Sequence, residues 1–260
     1  MIPKIIHYCW FGGNPLPVSV QRCIASWKRF LPDYEIREWN ENNFDVNMIP
    51  YTSEAYKAKK YAFVSDYARY WILYQYGGLY FDTDVEIIKN MDDTIAKGAF
   101  MGCENEAKAG GMPNEIGVNP GLGLGADSGL SLYREIIEIY NNLHFIRPDG
   151  TLNYETIVSI TTRHLCKKGL LNTNKVQLVS GVWIYPKEYF CPKDYRTLEM
   201  QITSNTCSIH HFNDSWHSKY EKIERRFWKL LGMGNKDIIN RIINVTKRFR
   251  RIFQISDDKK

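Results

Sequence analysis

The chain has 260 residues, a formal net charge of +5, 44% apolar residues, 14% aromatic residues and 24% charged residues. At roughly 150 residues per domain the length fits one to two domains, and a chain of this size folds without disulfide or metal staples. The composition excludes a disordered, collagen-like or coiled-coil chain.

The apolar runs all fall short of the roughly 18 residues that a spanning helix needs. Met1 leads straight into Ile2, Pro3 and Lys4, with no charged segment followed by a long apolar one. The expectation is a cytoplasmic protein. Its six scattered cysteines (Cys9, Cys23, Cys103, Cys166, Cys191 and Cys207) contain no C-x-x-C pair. Six reduced thiols are expected, with neither disulfides nor a zinc site.

In chain order, Ile2 to Phe11 is an apolar run rich in β-branched and aromatic residues, closed by Gly12-Gly13-Asn14-Pro15. It predicts a buried strand followed by a loop. Ser19 to Phe30 has helical spacing through Val20, Cys23, Ile24 and Trp27, and Tyr34 to Trp39 alternates as a second strand. Strand, helix, strand is the opening of an α/β sheet. Tyr61 to Tyr76 predicts the clearest helix, ended by Gly77-Gly78. Leu79 to Ile88 predicts a strand entering a turn, and residues 99–130 mix short strand signals with many glycines. Leu130 to Asn142 and Asn153 to Lys168 predict helices, Val176 to Tyr185 a strand with an adjoining turn, and Thr206 to Phe212 a last short strand.

Asp82-Thr83-Asp84 is the first segment with chemistry in it. Read as strand, it points both carboxylates to one face, where they repel unless a cation neutralises them. A hard divalent ion, Mn²⁺ or Mg²⁺, shared with a diphosphate fits that need. A bare D-x-D is common by chance, but Leu79-Tyr80-Phe81 is too apolar for an ordinary surface edge. Asp66 and Arg69 stand at i and i+3 on one helical face. Phe63, Val64, Trp71, Ile72 and Leu73 make that helix apolar nearly all round, so the charged pair should have a partner or a ligand.

The segment Ser65-Asp-Tyr-Ala-Arg-Tyr-Trp-Ile-Leu-Tyr-Gln-Tyr-Gly-Gly-Leu-Tyr-Phe-Asp-Thr-Asp84 closely resembles the DXD sugar-binding block of glycosyltransferase family 32. Members include capsule and lipopolysaccharide sugar transferases and yeast mannosyltransferases, and the block recurs in the glucosylating domain of large clostridial toxins. Ile2 to Gly13 resembles this family's first strand and His210-His-Phe-Asn-Asp-Ser-Trp216 its closing motif. The resemblance implies a GT-A type, Rossmann-like α/β domain that binds a nucleotide sugar through a divalent metal and transfers the sugar with retention. It assigns Trp10 to the nucleobase, Asp66 and Arg69 to the donor sugar hydroxyls, and Asp82 to the ribose and metal. Asp84 becomes the direct metal ligand, His211 a third ligand, and Ser215 and Trp216 the residues that close over the diphosphate. His210 and His211 alternate across a strand, so one of the two faces the metal. Asn119, Asp127, Asn153 and Glu155 are weaker candidates for the acceptor side, and His7 is expected to be a core histidine.

Residues 217–260 hold thirteen Lys and Arg against five Asp and Glu, a formal +8, which leaves −3 for residues 1–216. From Lys236 to Gln254, Ile238, Ile242, Val245, Phe249 and Ile252 fall on one helical side, and Arg241, Lys247, Arg248 and Arg251 on the other. A GT-A domain over 1–219 and a basic amphipathic helical tail over 220–260 are therefore expected. The tail suits an anionic membrane surface at the cytoplasmic face, or a homodimer partner.

The functional expectation is a retaining, metal-dependent transferase. It moves a sugar from a UDP-hexose or UDP-N-acetylhexosamine to a capsule, lipopolysaccharide or lipid-linked glycan. A GDP-mannose-dependent enzyme of the same fold is the nearest rival. A nucleic-acid module using the +8 tail is a rival of another class, disfavoured because the body is net negative.

Overall fold

The computed structural model describes residues 1–195 and 199–212. Among the described residues seven strands make the central sheet, in the order β2-β1-β3-β6-β5-β8-β7. They are β1 (Ile5–Cys9), β2 (Glu35–Trp39), β3 (Gly78–Tyr80), β5 (Phe100–Cys103), β6 (Val118–Ala126), β7 (Gln177–Val179) and β8 (Val182–Tyr185). A separate two-stranded ribbon pairs β4 (Val85–Ile87) with β9 (Ser208–His210). The helices are α1 (Val18–Phe30), α2 (Pro50–Lys57), α3 (Tyr61–Tyr76), α4 (Asp92–Ala96), α5 (Ser131–Asn141), α6 (Ile157–Lys167) and α7 (Lys187–Phe190).

β1 runs parallel to β2 and β3, and β5 to β8, while β6 runs antiparallel between β3 and β5. Alternation along each strand divides the core in two. Tyr80, Met101 and Leu124 join one cluster with α2, α3, α5 and α6. Phe81, Phe100 and Leu122 join the other, with Trp27 of α1 and Phe190 of α7. Covered on both faces, β1 and β5 read as apolar runs, whereas the more exposed β2 alternates. This is the α/β domain that the sequence implied.

Several elements differ from expectation. Residues 99–130 hold the longest strand of the sheet, β6, whose nine residues are all buried; its glycines hide it from a pattern search. Val176 to Tyr185 is a hairpin, β7 and β8, turned at Ser180 and Gly181 with φ of 50° and 79°. That double positive φ is the twist-matched two-residue connection. The helix expected from Asn153 begins at Ile157 instead. Thr156 caps it by accepting from the Ser159 amide at 3.2 Å, and Asn153 spends its side chain on the preceding loop.

α3 ends at Gly77, and β3 begins at Gly78 alongside β1. At Gly78, with φ of +101°, an added Cβ would lie 2.6 Å from the Ile5 carbonyl oxygen, so only glycine lets the strand start this close to its neighbour. His7 of β1 locks the junction. Trp39 Nε1 donates to its Nδ1 at 3.0 Å, which leaves Nε2 to donate to the Gly77 carbonyl at 3.0 Å. Burial lowers the His7 pKa to about 4. It is the neutral core histidine expected.

Candidate active site

The carboxyl ends of β1 and β3 meet where the sheet changes direction, a position that α/β proteins use for ligands. Trp10 follows β1 there, half-buried, with its Nε1 donating to the Asn14 carbonyl at 2.6 Å and so closing the glycine loop behind it. Asp82 follows β3, with its amide donating to the Gly121 carbonyl of β6 at 3.2 Å.

Asp82-Thr83-Asp84 is a turn, not strand, which corrects the expectation that strand alternation aligns the two carboxylates. The Val85 amide donates to the Asp82 carbonyl at 3.0 Å and turns the chain from the main sheet into the β4–β9 ribbon. The two acids therefore have different partners. Arg69 Nη1 reaches Asp82 Oδ2 at 3.2 Å, and Tyr80 donates its hydroxyl to Asp82 Oδ1 at 3.2 Å. Asp84 Oδ1 lies 3.2 Å from Nε2 of His210 on β9.

Asp66 and Arg69 project from α3 toward the same place, with Arg69 Nη2 donating to Asp66 Oδ1 at 2.9 Å. The Arg69 side chain is 4% exposed and that of Asp66 12%. Burial raises the Asp66 pKa to about 7 against the pull of Arg69, and the Asp82 charge adds to the rise. The Ile157 amide at the N-terminus of α6 bonds Asp66 and acts in the opposite sense. Asp82 is also shifted upward, first by burial and further by Asp84, with Arg69 opposing. Burial alone would lower the Arg69 pKa, yet Asp82 and Asp66 help hold it well above its ordinary value. A guanidinium between two carboxylates is a charge arrangement that only burial in common makes strong.

His210 is the histidine that meets the DXD turn. His211 instead pairs through Nε2 with Glu86 at 2.8 Å, while its amide donates to the Asp84 carbonyl at 2.9 Å. Strand alternation forces that division. Burial opposes protonation of His210, but Asp84, Asp82 and Glu104 together raise its pKa. Its buried Nδ1 has no hydrogen-bond partner among the described residues.

The acceptor candidates scatter. Asn119 is in the site: its Oδ1 accepts from the Gly121 amide at 2.7 Å and its Nδ2 donates to Glu104 Oε2 at 3.0 Å. Asp127 is not, because Gly78 pairs with Ala126 and so places residue 127 at the opposite end of β3 from Asp82. Its expected acceptor role is corrected on that ground. Asn153 accepts from Arg147 Nη2 and from the Glu155 amide, both at 3.2 Å, and so ties its own loop together. Glu155 pairs with Arg163 just before the helix terminus that holds Asp66. Ser215, Trp216 and the 220–260 tail lie outside the described residues. Glu104 was missed by sequence reading. It stands diagonally across a strand pair from Asn119, and only knowledge of β6 reveals that.

With this geometry in view, residues 17–101 match the family model described as a glycosyltransferase sugar-binding region containing the DXD motif. The matched segment includes Asp66, Arg69, Asp82 and Asp84. That segment is similar to the sugar-binding region of DXD glycosyltransferases. Inositol phosphoceramide mannosyltransferase 1 of Schizosaccharomyces pombe is 32% identical over 111 residues, 38% of this chain and 33% of that protein. Inositol phosphoceramide mannosyltransferase 3 of the same yeast is 30% identical over 159 residues, 60% of this chain and 42% of its own length. An uncharacterized glycosyltransferase of Acanthamoeba polyphaga mimivirus is 36% identical over 110 residues, 38% of this chain and 42% of that protein. The chain thus spans a third to two fifths of the length of the curated relatives it matches.

Proposed function

We propose that this chain transfers a sugar from a nucleoside diphosphate sugar to a glycan or lipid-linked acceptor, with retention of configuration and with a divalent cation at the DXD turn. The observation that carries the reading is the buried Asp66–Arg69–Asp82 array, which leads directly into Asp84 and His210. Ionised Asp66 accepts hydrogen bonds from donor sugar hydroxyls. Arg69 fixes Asp66 and Asp82 relative to each other, so the sugar and the nucleotide end of the donor are held by one guanidinium. Trp10, at the end of β1, offers a flat ring for the base.

Among the described residues no three or more His, Cys, Asp or Glu side chains stand so as to hold a metal ion by themselves. The donor set of Asp82, Asp84 and His210 nonetheless suits Mn²⁺ or Mg²⁺: hard carboxylate oxygens, one imidazole, and a remaining shell to be filled by phosphate oxygens and water. A cation there would neutralise the leaving diphosphate as a Lewis acid.

The two yeast relatives, inositol phosphoceramide mannosyltransferases by name, support a mannosyl donor, which brings the GDP-mannose alternative level with UDP-hexose, and they favour a lipid-borne acceptor. The basic amphipathic pattern of 236–254 supports attachment to an anionic membrane surface on the cytoplasmic side. The test is a thermal-shift panel of GDP-mannose, UDP-glucose and UDP-N-acetylglucosamine, each with Mn²⁺ and with chelator. A ligand that binds only the native state raises Tm by mass action. One donor should raise Tm in Mn²⁺ and lose that effect in chelator. Flat response to every donor, with and without metal, would contradict the reading.

A further inference from the structure

β6 departs from its ladder at the site. Met101 pairs with Leu124 and Gly102 with Asn119, so residues 120–123 are surplus to the pairing with β5. A bulge beside an active site re-aims what it touches. Here it lifts Gly121 against the DXD turn: a Cβ added at Gly121 would overlap Asp82 Oδ2. Asp82 therefore rests on the bare α-carbon of Gly121, and its amide bonds the Gly121 carbonyl as well.

Two hydrogen bonds hold that shelf from behind. Asn119 Oδ1 takes the Gly121 amide, and Glu104 Oε2 takes the Asn119 Nδ2. An Asn side chain can turn about its last bond and present either end; the Gly121 amide needs its oxygen and the acceptor at residue 104 needs its nitrogen, so the two bonds together fix its orientation. Glu104 is anchored in its turn, with its backbone amide donating to the Gly117 carbonyl at 2.8 Å and its Oε1 packed where a Gly117 Cβ would be, 3.2 Å from it. Its charge also reaches Lys187 and His210.

We propose that Glu104 is a positioning residue of this site: through Asn119 it fixes the Gly121 shelf and so the carboxylate of Asp82. The purpose of that positioning rests on the sugar-transfer reading; the hydrogen-bonded chain itself does not. Mutation of Glu104 should therefore act on turnover more than on donor affinity.

The test compares full-length wild type with Glu104→Ala, Glu104→Gln and Asn119→Ala. Side-chain amide exchange at Asn119, followed by NMR, is the first readout and needs no substrate. Exchange should be slow in wild type and in Glu104→Gln, whose Oε1 still accepts from Asn119, and fast in Glu104→Ala. The second readout is release of free sugar from GDP-mannose and UDP-glucose with Mn²⁺. Glu104→Ala and Asn119→Ala should each lower kcat about 10- to 100-fold, with donor KM changed less than about threefold, as expected for a sub-ångström displacement near the chemistry. Glu104→Gln should stay within about threefold of wild type in kcat. Fast exchange in wild type, or a Gln variant that falls as far as the Ala variant, would overturn the proposal. If wild type released sugar from neither donor, the transfer reading would be in question, and amide exchange would still decide whether Glu104 holds Asn119.

Discussion

Asp66 is an acid with little water around it, and its behaviour follows from that. Burial pushes its pKa up to about 7, far above the ordinary carboxyl near 4. A group whose folded pKa is raised binds its proton more tightly in the folded state. From about pH 4 to 7 the folded chain therefore loses stability at this position as pH rises, and above 7 the loss is constant. On the proposed reading donor recognition needs the ionised form, so kcat/KM should climb with pH through about 7. Asp66→Asn should lower kcat/KM at every pH and flatten that acid limb. Its Tm relative to wild type should shift in the variant's favour between pH 5 and 8. An unchanged acid limb in the variant would assign the titration to another group.

The residue-scale outcome divides by how local the signal is. Asp66 and Arg69 could be read from sequence because a charged pair on a helix apolar all round has few physical explanations. His210 and His211 could be separated only by parity along a strand whose starting face the sequence does not supply. Asp127 looked close to the site because it lies near Gly121 in sequence, but β6 runs extended from one to the other and carries them to opposite ends of the sheet. Glu104 has no local signal at all.

At the scale of elements, β6 is the case that matters most. Its sequence, VNPGLGLGA, has glycine where strand propensity asks for β-branched residues. The strand forms because neighbours on both sides cover it, Phe100 filling the space beside Gly125 and Phe81 the space beside Gly123. Tertiary packing thus overrides local preference. Gly121 is different: its missing side chain is occupied by Asp82. Gly121→Ala should leave secondary structure intact and cost about 1–3 kcal/mol of stability through overpacking. It should reduce donor turnover by more than tenfold, because relief of the clash moves Asp82 off Arg69. Circular dichroism, thermal melts and sugar release together check this, and near wild-type turnover would mean that Asp82 does not need its shelf. The DXD turn carries the same lesson. That two acids stand close was legible from their spacing; that they bridge two different sheets was not.

Over the whole molecule, the sheet gathers distant segments at the end of β3: α3 brings Asp66 and Arg69, β6 brings Asn119 and Gly121, and β9 brings His210. Only the first of these adjoins the DXD turn in sequence and falls with it inside the matched residues 17–101; the rest of the site needed the fold. Among the described residues no helix is long and apolar enough to cross a membrane. The central claim is that Asp84 brings a cation to the leaving diphosphate. It is tested most directly by steady-state sugar release from the stabilising donor, GDP-mannose or UDP-glucose, by wild type and Asp84→Asn across a Mn²⁺ titration with a chelator control. Wild type should require Mn²⁺ and stop in chelator, and Asp84→Asn should lose at least about 100-fold in turnover while melting cooperatively near the wild-type Tm. Near wild-type turnover by Asp84→Asn, or undiminished wild-type activity in excess chelator, would contradict it.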